Sequence, residues 1–514
     1  MRARARRLLP VAAAVAAGGA ASAIDAQPAA GHAIGDVFTL PVPLALYLAG
    51  AALAVAASFV ISVLAIRPAG PVPTYPVRPL AAGISRIGSV PLMALGLAWW
   101  IGTIAAGYLV DPISPLPAVL FWIGIWVGLP IAAVLLGNPW PSLSPFRMLF
   151  GLLEAGARRL GARSLEPALP YPGALGRWPA VAFLFAGIWC ELVLPDGTIP
   201  AVIANLLVAY TLLTLAGMAA FGRVAWLRNA ELFEVLLGWF GRIGPVGRRV
   251  ADPAVCQGCA LDCDPARCVD CPECLAAAEP GELRSELRPW FTGLTEVRGA
   301  GWSDAAFIVL ALAGVTYDGL QETTFWGGLM QPFFQFAFER FGALNAVLAV
   351  QTIGLVGVWL VFVAAFATAT WLTRDLHDPG RAVPPLGAAA GAYAATLLPI
   401  AGGYLVAHYL TVVIQGGVWL PALLADPLVT VAPILDWIPT SAVWYLSVGS
   451  IVLGHIVAVV LAHRIALRDA AGRPLLAGLP LVALMVGYTV LSLWIIAAPI
   501  TVEPGTAPLS LLAR

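Results

Sequence analysis

The sequence contains little charge and no lysine. Charged residues make up 11% of the 514 positions, and all 28 basic residues are arginine. Soluble domains carry about 25% charged residues, so this composition excludes an ordinary soluble protein. Opposite charges can be sorted to different sides of a membrane, so the net charge of zero excludes no partner. Codon usage is the first explanation for the missing lysine, because no chemistry requires arginine at every basic position.

Several motifs that would identify a reaction are also missing. The chain has no G-x-S-x-G turn, no P-loop, no G-x-G-x-x-G after a strand and no H-E-x-x-H. It has no nucleic-acid-binding signature either, so we expect no nucleic-acid partner. The function therefore has to be inferred from other residues.

Long apolar segments dominate what is present. Hydrophobic residues account for 60% of the chain, and several runs exceed the ~20 residues that a helix needs to cross ~30 Å of hydrocarbon. This predicts an all-α polytopic integral membrane protein with about ten transmembrane helices and a small cysteine-rich cytosolic module. The lipid bilayer is its first predicted partner. The predicted spans are 42–66, 89–110, 115–136, 179–195, 198–221, 303–319, 344–372, 386–412, 442–465 and 476–498.

Four further segments are predicted not to cross the membrane. Segment 325–340 is apolar but contains a proline and a glutamate, which predicts an interfacial or re-entrant piece. Segment 416–440 contains four prolines, which break a long helix. Segments 148–160 and 226–240 have apolar residues at helical spacing, which predicts two amphipathic helices along the membrane surface.

The arginines predict the orientation. The basic start and the short apolar stretch after it predict a secretory signal peptide. Nearly all later arginines fall in or beside alternate loops, and only Arg340 and Arg514 fall on the other side. The positive-inside rule then predicts an inner-membrane protein whose mature N-terminus and C-terminus are external. The predicted divisions are a signal peptide over 1–31, a first membrane half over 32–221, a cytosolic loop with the cysteine-rich module over 222–302, and a second membrane half over 303–514.

Six of the seven cysteines lie close together in that cytosolic loop. Disulfides are disfavoured in the cytosol, and thiolates at C-x2-C spacing can converge on one metal ion. We therefore predict a structural zinc site, with one or two ions, and keep an iron–sulfur cluster as the alternative. The predicted metal ligands are Cys256, Cys259, Cys263, Cys268, Cys271 and Cys274.

Ionisable residues inside predicted spans are candidates for function, because charge at membrane depth is costly. Asp318 and Glu322 end the sixth span four residues apart, His408 lies near the same end of the eighth span, and Glu191 closes the fourth. These four residues are predicted to form a catalytic site, with His32 and Asp36 as possible additions. A divalent metal with a bound water would suit this ligand set. The alternative is that they are interface-level residues in contact with water and lipid headgroups.

Two further histidines share one face of the ninth span. His455 and His463 are eight residues apart, so they could relay protons or ions from mid-membrane to the cytosol. Hydrogen-bonded packing inside the helix bundle is the alternative.

Eight segments carry a family resemblance from about His32 to the last span. They are NPWPSLSPFR, YPGALGRWPA, ELVLPD, AYTLLTLAGMAAFGRVAW, GRIGPVGRR, TYDGLQET, GHIVAVVLAHRIAL and LVALMVGYTVLSLW. These segments resemble bacterial and archaeal membrane proteins called fenitrothion hydrolases. The resemblance implies hydrolysis of an organophosphate triester with release of a nitrophenol. It assigns no catalytic residues.

Three hypotheses for the function follow. By resemblance the protein is a phosphotriester hydrolase, with or without a divalent metal. The first alternative is a transporter or metal-handling membrane protein with a cytosolic thiolate site. The second alternative is an iron–sulfur electron-transfer subunit of the membrane.

Overall fold

The structure is a computed structural model. It describes residues 38–66, 77–80, 89–161, 169–252, 254, 269–279, 282–295, 297, 299–376, 383–469 and 474–502. The predicted signal peptide and four of the six clustered cysteines lie outside the described residues.

Ten helices in the described part of the chain are long and apolar enough to cross a membrane, which confirms the predicted class and number of spans. Runs of leucine, valine and alanine give these segments their high mean hydropathy. In lipid, the backbone N–H and C=O groups of such a segment are satisfied by hydrogen bonds within the helix. The spans are Leu44–Ala65, Pro91–Leu109, Leu116–Leu135, Gly173–Leu192, Pro200–Phe221, Trp302–Gln321, Ala343–Asp375, Leu386–Ala425, Thr440–Leu467 and Leu475–Ala498.

The remaining elements are short and lie between these spans. In chain order the helices are α1 Leu44–Ala65, α2 Ser89–Leu109, α3 Leu116–Leu135, α4 Trp140–Leu143, α5 Pro145–Arg159, α6 Trp178–Leu192, α7 Pro200–Phe221, α8 Arg223–Asn229, α9 Leu232–Phe240, α10 Pro272–Ala277, α11 Trp302–Gln321, α12 Thr324–Phe341, α13 Ala343–Asp375, α14 Leu386–Ala395, α15 Leu398–Ala425, α16 Thr440–Asp469 and α17 Pro474–Ile500. The strands are β1 Phe38–Thr39, β2 Arg78–Pro79, β3 Val246–Val250, β4 Leu283–Leu287 and β5 Thr501–Val502.

Helices α15 and α16 approach each other closely because a glycine on each helix faces the backbone of the other. A Cβ atom on Gly403 would lie 2.4 Å from the carbonyl oxygen of Ser450, and one on Gly454 would lie 2.3 Å from that of Pro399. Small residues allow this close packing in membranes, where lipid tails remove the usual hydrophobic drive for helix association. The contact fixes the helix that carries His408 against the helix that carries His455.

Two sequence predictions about where helices continue or break need correction. Segment 226–240 is not one surface helix: it breaks before Glu231, and α9 buries almost all of its residues. Segment 325–340 forms a helix, α12, with Pro332 inside it, and it is not among the ten spans, so its predicted interfacial or re-entrant placement stays a prediction. The eighth span continues through Pro421 to Ala425, so the helix is not broken where the prolines begin. A proline in a membrane helix is tolerated when neighbouring groups satisfy the freed backbone.

The arginine-rich loops meet at one end of the bundle. Strand β2, from the first of these loops, pairs antiparallel with β4, and β4 pairs antiparallel with β3. Arg147, from the second loop, is buried and donates to the carbonyl oxygens of Leu275, Ala276 and Ala278. Loops that the arginine distribution assigns to the same side are therefore in contact.

Two segments at the ends of the described part of the chain are also in contact. Strand β1 pairs parallel with β5, with Phe38 opposite Thr501. Next to this pair, Leu40, Trp444 and Ala497 form a small buried cluster. This end of the bundle is the one at which α11 ends and α16 begins.

Candidate functional site

A buried polar cluster lies between α11 and α15, towards the end of the bundle that the arginines predict to be external. The Asp318 carboxylate lies 3.0 Å from Nε2 of His408, and its other oxygen accepts a 3.3 Å hydrogen bond from the Gln321 amide. The Tyr409 hydroxyl donates to the same oxygen that contacts His408. We call these four residues the Asp318 cluster. The His408 side chain is 4% exposed and that of Asp318 15%.

Gly319 allows the two helices to bring this cluster together. A Cβ atom at Gly319 would lie 2.4 Å from the Tyr404 hydroxyl and 3.7 Å from Cε1 of His408. The Tyr404 ring lies 5.8 Å from the His408 ring, and its buried hydroxyl has no hydrogen-bond partner among the described residues. The glycine therefore gives Tyr404 and His408 the room they need against α11.

Glu191 lies on the far side of Tyr409, across a small cavity. Its carboxylate accepts a 2.6 Å hydrogen bond from the Trp126 indole. The indole fits against α6 because a Cβ atom at Gly187 would lie only 2.3 Å from its ring. Glu191, Trp126 and Tyr409 line a cavity of ≈ 50 Å³. Since one water needs about 10–15 Å³ on this measure, the cavity has room for a few waters.

The other predicted members of this site are placed differently. Helix α11 ends at Gln321, so Glu322 caps it and is exposed. His32 and Asp36 lie outside the described residues. The structure therefore brings together Asp318 and His408, places Glu191 nearby across the cavity, and leaves Glu322 at the surface.

The donor set can be compared with that of a metal site. Within the described ranges no three His, Cys, Asp or Glu side chains come together as metal ligands. Asp318 and His408 supply two donors, whereas zinc sites generally take three or four ligands from the protein. The divalent metal at this position stays a prediction.

The ninth-span histidines are both buried within α16. Nδ1 of His455 lies 2.8 Å from the Ile451 carbonyl oxygen, and Nε2 has no partner among the described residues. Neither ring nitrogen of His463 has a described hydrogen-bond partner, and the ring packs edge-on against Phe59 at 5.8 Å. Their predicted role in a proton path stays a prediction.

Only the end of the cysteine-rich module is described. Cys271 caps α10 and Cys274 lies one turn later, and both side chains are buried in a small cluster with Val250, Leu275 and Leu283. Cys256, Cys259, Cys263 and Cys268 lie outside the described residues, so the zinc and iron–sulfur predictions stay predictions.

Sequence reasoning missed two members of the Asp318 cluster. Tyr409 follows His408 directly, and Gln321 is three residues after Asp318 on the same helical face. Tyrosine and glutamine carry no charge, so the search for ionisable residues in spans passed over them. The i, i+3 spacing of Asp318 and Gln321 was the signal that could have identified the amide.

Comparison of the chain with protein-family models, with curated proteins and with solved structures finds no match.

Proposed function

We propose that the protein is a proton-coupled membrane transporter in which Asp318 and His408 bind the proton on the external side. The observation that carries this proposal is the hydrogen-bonded contact between the Asp318 carboxylate and both His408 and Tyr409. A carboxylate and an imidazole in direct contact can hold or release a proton together. Ionisable groups within membrane helices are costly, and proton and ion pathways are where they occur.

The size of the adjoining cavity supports a small occupant. Pockets for drug-sized ligands measure about 300–1,000 Å³, whereas the cavity beside Tyr409 measures ≈ 50 Å³. Water or a proton fits this space and a nitrophenyl phosphotriester does not. Tyr409 contacts both the cavity and Asp318, so it connects the cavity waters to the carboxylate.

A step in external pH tests the proposal without knowledge of the transported solute. Purified protein in liposomes on a solid-supported electrode should give a transient current after the step, because protons enter the membrane field to reach Asp318. Asp318→Asn removes the titrating carboxylate at nearly constant shape, so the current should fall to that of empty liposomes. Asp436→Asn, at an exposed carboxylate, is the matched control and should keep the current.

Phosphotriester hydrolysis is the second candidate, and the same dyad favours it. A carboxylate that orients an imidazole is half of a general-base arrangement, in which the second ring nitrogen takes a proton from water. The resemblance to fenitrothion hydrolases agrees with this chemistry, although the substrate would require the site to open. If the wild type releases nitrophenolate and Asp318→Asn and His408→Ala do not, while no pH-step current appears, the hydrolase replaces the transporter.

The six cysteines are proposed to hold zinc in a structural role. Cys271 and Cys274 lie at the start of α10 one turn apart, and this spacing suits two ligands of one ion. The neighbouring loops pack around this helix: Arg228, on α8, forms a 2.5 Å ion pair with Glu273. A closed thiolate site would stabilise the fold of this region.

A further inference from the structure

A polar pocket of ≈ 220 Å³ lies at the arginine-rich end of the bundle, where α6 and α11 begin. It is separate from the Asp318 cluster. We call it the Arg242 pocket and define it by five of its lining residues: Arg177, Arg228, Glu234, Trp239 and Arg242.

The arginines of this pocket differ in their partners. Arg177 is paired with Asp304, and Arg228 is paired with Glu273 at 2.5 Å. Arg242 donates instead to the carbonyl oxygens of Asp270 and Gly293, at 2.8 and 3.3 Å, and has no carboxylate at salt-bridge distance among the described residues. Burial lowers the pKa of the Arg242 guanidinium from its usual range. An anion in the pocket would offset that cost.

Two residues that line the pocket each carry a buried atom with unmet hydrogen-bonding capacity. Nε1 of Trp239 and Oε2 of Glu234 have no partner among the described residues, and the two residues are 5% and 8% exposed. The other oxygen of Glu234 is occupied, since Oε1 accepts from Arg147 at 2.9 Å. Buried polar groups are nearly always satisfied, so an unpaired donor and an unpaired acceptor on residues of one pocket indicate a ligand that offers both, reached when these side chains rotate towards the pocket.

The Trp239 ring further connects the cationic groups. The Arg177 and Arg242 guanidinium carbons lie 5.5 and 5.3 Å from its centroid, within cation–π range. The indole N–H and these guanidinium groups therefore point to the anionic part of a ligand. The free oxygen of Glu234 points to a ligand N–H.

The surroundings indicate the level of the membrane surface. Trp178 directly follows Arg177 and is 44% exposed, and Trp302, between the lining residues Gly301 and Ser303, is 48% exposed. Tryptophans at helix ends are enriched where the headgroups lie. A phosphate ester at this depth is the expected anion, because guanidinium groups bind phosphate oxygens well.

We propose that the Arg242 pocket binds a phosphate ester that carries a primary ammonium group. The phosphate interacts with Arg242, Arg177 and the Trp239 indole N–H, and the ammonium donates to Oε2 of Glu234. An aminophospholipid headgroup and free phosphoethanolamine share this chemistry.

The test compares lipids on the full-length purified protein by native mass spectrometry. The wild type should retain phosphatidylethanolamine in preference to phosphatidylcholine, whose quaternary ammonium has no N–H, and to phosphatidylglycerol, which has no ammonium. Trp239→Phe keeps the ring but removes the N–H, so it should weaken phosphatidylethanolamine binding roughly tenfold. Trp226→Phe is the matched control: its buried indole N–H is also unpaired among the described residues, but it lies outside the pocket lining and should change nothing.

Soluble probes separate the two sources of the ligand. If phosphoethanolamine displaces the lipid and inorganic phosphate does not, the ligand is a free metabolite of this class. If only the lipid binds, the ligand is the headgroup of an aminophospholipid. Glu234→Gln should abolish the preference for phosphatidylethanolamine over phosphatidylcholine, with folding checked by elution volume because Arg147 loses its charged partner. The proposal is wrong if Trp239→Phe and wild type bind equally, or if phosphate alone binds as tightly as phosphoethanolamine.

Discussion

At Asp318, one carboxylate is shared by three donors from two helices. His408 and Tyr409 contact one oxygen, and Gln321 contacts the other. Charge-assisted hydrogen bonds are roughly twice as strong as neutral ones, so this arrangement can hold a carboxylate at a depth where it would otherwise be expensive. The same contacts fix the imidazole in one orientation. The residue is therefore both a structural link and the proposed site of proton binding.

The link depends on the absence of a side chain at Gly319. Gly319→Ala should destabilise the protein by about 1–3 kcal/mol, because its Cβ atom would lie 2.4 Å from the Tyr404 hydroxyl. The measurement is the apparent melting temperature in detergent. Gly327→Ala, where nothing lies within 4 Å of the new Cβ, should not lower it.

A second substitution separates this clash from a general helix effect. Tyr404→Phe removes one of the two groups that the alanine would meet, so the double variant Gly319→Ala/Tyr404→Phe should recover part of the lost stability. The other group, Cγ2 of Ile495 at 2.6 Å from the new Cβ, stays in place. Tyr404→Phe alone should cost little, since that hydroxyl is buried without a described partner. If the double variant melts no higher than Gly319→Ala, the close approach of Tyr404 is not the reason for the glycine.

The pairing of Asp318 with His408 could be predicted from the sequence, whereas its full environment could not. Few charged residues lie near this end of the spans. An ionisable side chain at membrane depth is costly unless it is paired, so the two residues were expected to lie close together. Glu322 is the C-cap of α11 and is exposed, but its right-handed helical backbone keeps it one turn after Asp318, and its predicted catalytic role stays a prediction. Glu191 was correctly placed at this end, but its hydrogen bond to Trp126 depends on the packing of α3 against α6.

At the scale of the element, α9 shows why periodicity alone misplaced a helix. Its apolar residues continue the pattern of α8, but Glu231 breaks the helix and caps α9 with hydrogen bonds from the backbone N–H groups of Phe233 and Glu234. Trp140 and Tyr210 also donate to Glu231, from α4 and α7. The polar residue thus serves a buried junction, which a surface-helix pattern does not reveal.

Glu231 gives this junction a pH dependence. Burial raises the pKa of Glu231 to about 7, above the ~4.3 of an unfolded glutamate. The folded state then binds more protons between these values, so the stabilising contribution is present below about pH 4.3 and is lost as pH rises through about 7. The loss amounts to at most about 4 kcal/mol.

The variant Glu231→Gln isolates this effect. We expect the apparent melting temperature of the wild type to fall relative to that of Glu231→Gln as the pH rises from 4.5 to 7.5. Glu154→Gln, at a glutamate on α5, is the control and should follow the wild type. Parallel pH profiles for the wild type and Glu231→Gln would show that Glu231 does not titrate in this range.

The cysteine-rich module provides a second prediction at this scale. Cys259→Ser should lower the zinc content of the purified protein and make loop 222–302 more sensitive to protease, because a thiolate zinc site contributes folding energy. Cys190→Ser, in a membrane span, should change neither quantity. A brown wild-type protein with iron and acid-labile sulfide would replace zinc by an iron–sulfur cluster.

At the scale of the whole molecule, two sets of loops gather at opposite ends. The β2–β4–β3 sheet and Arg147 join the arginine-rich loops, and the pairing of β1 with β5 joins residues 38–39 to residues 501–502. Hydropathy was sufficient for the ten spans because each must cover the same thickness of hydrocarbon. The small sheet was not predicted, since its strands come from loops far apart in sequence.

The central claim is that an external proton reaches Asp318, and a sided pH step tests it most directly. Liposomes sorted by orientation, with the arginine-rich loops either inside or outside, receive the same step at the outer solution. The account predicts a fast transient current in wild-type liposomes with these loops inside, and none in Asp318→Asn. A current of equal size in Asp318→Asn, or a fast current only when the arginine-rich loops face the step, would contradict it.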